Sequence, residues 1–121
     1  MRFMKINKGS ESAGAPPPAL LAAWGQLIEQ AMKTGELVQN GGLLPSAQGA
    51  RIRLSGGQLD VVDGPFAESK EIIGGFAIYE VESKEKAVEL AMQSMKLIKE
   101  HWPGWEGECE IRPMFDMPGK K

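Results

Sequence analysis

His101 is the chain's single histidine. Histidine is the side chain whose ordinary pKa lies near neutrality, so His101 is the ready general base of this sequence. The carboxylates that could work with it stand in the stretch "DGPFAESKEIIGG", residues 63–75, as Asp63, Glu68 and Glu71. Glu68 and Glu71 are three apart, so in a helical turn they share one side and could approach Asp63. Like charges so placed raise one another's pKa and yield an acid or a base. Neutralisation by Lys70 and solvent is the competing reading. Asp63 also precedes Gly64-Pro65, a turn at which an Asp commonly accepts backbone N–H bonds.

The second dense stretch is "EHWPGWEGE", residues 100–108. Trp102 and Trp105 suit the wall of an apolar pocket or an interface, and His101 beside them suits a helix end as well as a site. Arg112 could bind a carboxylate bidentately or pair with Glu80 or Glu110. Asp63, Glu68 and Glu71 lack the ligand spacing of a calcium loop, so no metal is expected. The sequence shows no Ser/His/Asp set, and neither Gly41-Gly42 nor Ser55-Gly56-Gly57 makes a phosphate loop.

Composition excludes several classes of function. The chain has 121 residues, a formal net charge of −2, 42% hydrophobic and 25% charged residues, an ordinary soluble balance for a single domain over residues 1–121. Nucleic-acid binding would need clustered Lys and Arg, and a membrane span would need roughly 20 apolar residues in a row; neither partner is expected. One cysteine, Cys109, forms no internal disulfide and fits a small, buried apolar residue. With no signal-peptide pattern in the first residues, a cytoplasmic protein is expected.

The elements that must position these groups follow from periodicity. Residues 1–7 read as a strand. Pro16, Pro17 and Pro18 start a helix carrying Leu20, Leu21, Trp24, Leu27, Ile28, Ala31 and Met32 on one side, and Gly35 ends it. Residues 37–44 read as a strand broken by glycines. Ile52 and Leu54, then Leu59 and Val61, alternate with polar residues around Ser55-Gly56-Gly57, a hairpin pattern. Residues 76–81 form another strand, Ser83 caps a second helix bearing Ala87, Leu90, Ala91 and Ile98, and a last strand runs through Cys109, Ile111, Pro113 and Phe115.

With the hairpin set aside as an insertion, the order matches the split βαβ arrangement of ferredoxin-like folds: an α+β protein with an antiparallel sheet and both helices on one face. Apolar residues of the other face, from among Phe3, Phe76, Ile78, Ile111 and Phe115, then need another cover. A homodimer packing sheet to sheet supplies it, leaving a cleft for a small-molecule ligand.

The runs "NGGLLPS", "RIRLSGGQLDVVDGPFAESKEIIGGFAIYEVESKEKAVELA" and "EIRPMF" resemble the DGPF type of the YCII-related domains. The matching positions are Asp63, Gly64, Pro65, Phe66, Glu68, Lys70, Glu71 and Gly75. The resemblance implies a dimeric α+β barrel and a small cytoplasmic bacterial protein. It also implies kinship with enzymes resembling muconolactone isomerase, and for some members an association with extracytoplasmic-function sigma factors. The His–Asp pair proposed for some YCII relatives lacks a counterpart in the first helix or second strand, so only Asp63 with His101 could replace it. The expected site is thus Asp63 and His101 as an acid/base pair in a cofactor-free enzyme, or a ligand-binding cleft bounded by Glu68, Glu71, Arg112, Trp102 and Phe66.

Overall fold

A computed structural model of the chain describes residues 1–66 and 72–115. Along them run β1 (Arg2–Gly9), α1 (Pro18–Thr34), β2 (Leu37–Gly42), β3 (Ala50–Ser55), β4 (Gln58–Asp63), β5 (Ile72–Glu80), α2 (Lys84–His101) and β6 (Gly107–Pro113). Short 3-10 turns occupy Glu11–Ala13 and Ser46–Gln48.

Local chemistry sets the helix ends. Pro17 is extended, with φ −62 and ψ 151, and hands over to Pro18 at the first helical position of α1, where a missing N–H costs nothing. Gly35, at φ 82, closes that helix with its N–H on the Met32 carbonyl. At α2 the Ser83 hydroxyl accepts the Lys86 N–H at 3.1 Å. Glu85 lies in the first turn and Lys99 in the last, each sign where the helix dipole favours it.

The strands form a four-stranded sheet in the order β2-β5-β1-β6 and a separate two-stranded sheet of β3 with β4. Every pairing is antiparallel. Two helices with this sheet order are compatible with the ferredoxin-like arrangement expected from the sequence. Gly56 and Gly57, at φ 58 and 79, make the two-residue turn of the β3–β4 hairpin, a conformation that other residues adopt only at a cost.

Residues directly opposite in antiparallel strands share a face. The register sets Phe3 against Tyr79, Lys5 against Ala77 and Asn7 against Gly75 in one row, and Met4 against Ile78 and Ile6 against Phe76 in the other. The first row carries the core. Phe3, Leu37, Ala77, Tyr79, Val81, Ala87, Leu90 and Ala91 are buried together, with Ile28, Ala31, Cys109 and Ile111 packed against them. Phe3 and Ile111 therefore do not belong to the uncovered face where the sequence reading placed them. Phe76 and Ile78 do stand in the opposite row, half-buried, and Phe115 lies past the end of β6, largely exposed.

Candidate functional site

The row that begins in the core does not end there. From Phe3 through Lys5 to Asn7, the β5 residue opposite shrinks from Tyr79 to Ala77 to Gly75. On β2, paired with the same three β5 residues, Leu37 gives way to Asn40 and Gly42. Side-chain volume falls along the sheet while α1 and α2 continue alongside, and the space left is a cavity of about 780 Å³. Its wall is largely apolar, with Leu21, Trp24, Ile28, Leu43, Ile98 and Trp102 among its residues, and Lys5 and Asn7 border it from β1.

Lys5 is 5% exposed. Its ammonium donates to the Ser94 hydroxyl at 2.8 Å, and the Ser94 carbonyl accepts the Trp24 indole N–H at 3.2 Å, so one α2 residue ties β1 to α1. Burial pushes the Lys5 pKa below its ordinary value, against a smaller opposing influence of the Cys109 thiol. Burial likewise raises the pKa of Cys109 and of Tyr79. The Oδ1 of Asn7 is buried and accepts no hydrogen bond from the described residues, a polar group of the kind that costs stability unless something else serves it.

The DGPF stretch adjoins this cavity through one serine. Ser46 is buried and donates both its N–H and its hydroxyl to the Glu11 carboxylate, at 2.5 and 2.6 Å, while its hydroxyl oxygen accepts the Phe66 N–H at 3.2 Å. These bonds hold the Glu11 pKa below the usual carboxylate range. Gly64 donates to the Gly49 carbonyl at 2.9 Å. A Cβ at Gly64 would collide with the Ser46 backbone, so this position of the motif answers to close packing. The Arg51 guanidinium covers the Phe66 ring at 3.8 Å. Glu11 and Pro45 line the cavity, and so join the motif's supports to it.

The residues singled out from the sequence are spread over the molecule. Trp102 lines the cavity and faces Trp105, ring centroids 6.0 Å apart. Asp63 is exposed at the end of β4, opposite Ala50. His101 ends α2, with Nε2 3.7 Å from the Glu100 carboxylate. Arg112 is exposed and donates to Glu110 on its own strand at 3.2 Å, while the other Glu110 oxygen takes the Lys8 ammonium at 2.6 Å. Among the described residues, the cavity lining includes none of Asp63, Phe66, His101 and Arg112. Glu68 and Glu71 lie outside the described residues. Lys5, Asn7 and Ser94 were missed. The signal for the first two was their spacing, since residues two and four beyond a core Phe3 share its face.

The family model of the YCII-related domain matches residues 1–97. The chain belongs to the YCII-related family. A relative from Rhizobium meliloti (strain 1021), itself named only as an uncharacterized protein, is 37% identical over 83 residues, 69% of this chain. The match spans 63% of that relative's length. No helix of this YCII-related protein is long and apolar enough to cross a membrane, among the described residues.

Proposed function

We propose that this YCII-related protein binds a small molecule in the cavity beside β1, and that it does so as a dimer. The observation that carries the reading is the cavity itself: about 780 Å³, a largely apolar wall and a small polar patch at Lys5 and Asn7. That combination of size, apolar lining and few polar groups is the usual form of a small-ligand site. The DGPF loop serves it at second hand, by fixing Ser46 and with it Glu11 at the cavity wall. An acid/base role for Asp63 with His101 draws no comparable support, because neither borders the cavity.

Two features support the dimer. On the hairpin, Ile52, Leu54, Leu59 and Val61 share one face and are 69–73% exposed, and on the main sheet Met4, Ile6, Phe76 and Ile78 form an apolar row opposite the core row. The first row is exposed and the second half-buried; apolar surface of this kind marks an interface, and a second copy is the partner always present.

The test is titration with the neutral apolar fluorophore N-phenyl-1-naphthylamine. Saturable binding with one site per chain is expected, accompanied by quenching of Trp24, Trp102 and Trp105, which line the cavity. Sedimentation equilibrium should give about twice the chain mass of 13.1 kDa. A folded protein that neither takes up the probe nor changes its tryptophan emission would remove the ligand-binding reading.

A further inference from the structure

Among the described residues the cavity wall carries charges of both signs, and they differ in burial: Glu11 is exposed, whereas Lys5 is buried with an uncharged partner. Among the described residues, its ionisable side chains are Lys5, Lys8, Glu11 and Tyr79. Lys8 has the Glu110 carboxylate at 2.6 Å, and Glu11 is held by two bonds from Ser46. Tyr79, its pKa raised by burial, is neutral. Lys5 has the Ser94 hydroxyl, which is uncharged. A cation desolvated against an apolar wall without an opposite charge is costly, and an anion brought to it removes that cost.

We propose that the cavity takes an organic acid, a small and largely apolar body bearing a single carboxylate-type anion, and that Lys5 is the cation that holds it. The inference rests on the ligand-binding reading above and names the ligand's class. A charge-assisted bond from the Lys5 ammonium to the carboxylate is its centre, and the Ser94 hydroxyl keeps its own hydrogen free for a second bond. The orphaned Oδ1 of Asn7, two residues along the same row, is an acceptor, so it suits a hydroxyl or N–H on the ligand's body and not its carboxylate. The rest of the ligand meets Leu21, Trp24, Ile28 and Trp102, so the body must be apolar.

The groups around Lys5 fix the pH behaviour. Cys109, which influences Lys5 from β6, and Tyr79, in the same row on β5, both have raised pKa values; α2 presents Ser94 and α1 presents Trp24, neither charged. With its own pKa lowered and that of Tyr79 raised, Lys5 loses its proton before Tyr79 does as pH rises, and the attraction for an anion goes with it.

The test is displacement of bound N-phenyl-1-naphthylamine by 1-naphthoate and by its neutral counterpart 1-naphthamide, near pH 7. The acid should compete about ten- to a hundredfold better than the amide, the worth of one charge-assisted hydrogen bond. In Lys5→Met that advantage should vanish while the amide competes as before. On the unsubstituted protein the acid's advantage should also decline through the alkaline range, so the idea stays testable should the variant misfold. If the fluorophore binds but acid and amide displace it equally, or neither does, the organic-acid assignment falls while the cavity remains a binding site. If the acid's advantage survives Lys5→Met, or is unchanged at alkaline pH, Lys5 is not the cation. Failure of the fluorophore itself to bind removes the underlying reading.

Discussion

The four-stranded and two-stranded sheets carry the same alternation and meet opposite fates. On β1 and β5 the row of Phe3, Ala77 and Tyr79 lies under helix residues and is at most 5% exposed. On β3 and β4 the row of Ile52, Leu54, Leu59 and Val61 is bare. An isolated two-stranded hairpin is marginal in water, whereas three or more strands packed against helices hold by themselves. Alternation therefore says which residues share a face, and only the rest of the molecule says what covers it. Within the main sheet the contrast recurs at smaller scale, since the row is closed at Phe3 and open at Lys5 and Asn7.

The covered row is the place to break the comparison hardest. Phe3→Ala removes a ring that is 2% exposed at the centre of the core, and such truncations cost about 3–5 kcal/mol. Denaturant unfolding should show a loss of that size as a lowered midpoint with little change in slope. A loss below about 1 kcal/mol would mean that the row is far less tightly closed than its burial indicates.

At the open end of the same row the sign should reverse. Lys5→Met keeps the length of the side chain and removes a desolvated charge, and replacing buried ionic groups by apolar ones of similar shape gains roughly 1–3 kcal/mol. The pH dependence follows from the lowered pKa of Lys5. Below that value folded and unfolded chains both carry the proton, and the full cost of burying it is present. Between that value and 10.5, the ordinary one, the unfolded chain binds more protons, so stability rises with pH. The gain from Lys5→Met should be largest near neutrality and shrink through the alkaline range, as parallel thermal melts of the two proteins will show. A Lys5→Met protein less stable than the parent at pH 7 would overturn the account of Lys5 as an uncompensated buried charge.

Much of this architecture was legible in the residues. Pro17 and Pro18, Gly35, Ser83 and the Gly56-Gly57 turn mark ends that depend on local chemistry, and each stands where the local signals placed it. Phe3 and Ile111 were assigned to the wrong face because a strand's alternation does not tell which of its two rows the helices cover. The site was less legible for a related reason. Lys5 lies between Met4 and Ile6 but two residues beyond Phe3, so the alternation supports either face, and its pairing with Ala77 settles it as inward. The shrinking series Tyr79, Ala77, Gly75 makes room only against Phe3, Lys5 and Asn7, residues about 70 positions away, a relation no local pattern contains. The DGPF motif drew attention by its carboxylates, yet Gly64 and the Phe66 amide are where it touches the Ser46 hub.

Introducing a charge on the bare row should have the smallest effect on the chain by itself. Leu54 is 69% exposed and faces Leu59 across the hairpin, so Leu54→Lys forfeits little burial within one chain. Substitutions at such positions stay within about 0.5 kcal/mol. In a dimer that covers the hairpin the same lysine would be driven into an apolar contact, where an unpaired charge is strongly unfavourable. Two measurements on one variant therefore separate the possibilities. Dilute-solution thermal melting should shift by no more than a few degrees, while sedimentation equilibrium should move from dimer toward monomer. An unchanged dimer with Leu54→Lys would place the partner copy elsewhere, against the row of Met4, Ile6, Phe76 and Ile78, and leave the hairpin's apolar face to a different occupant.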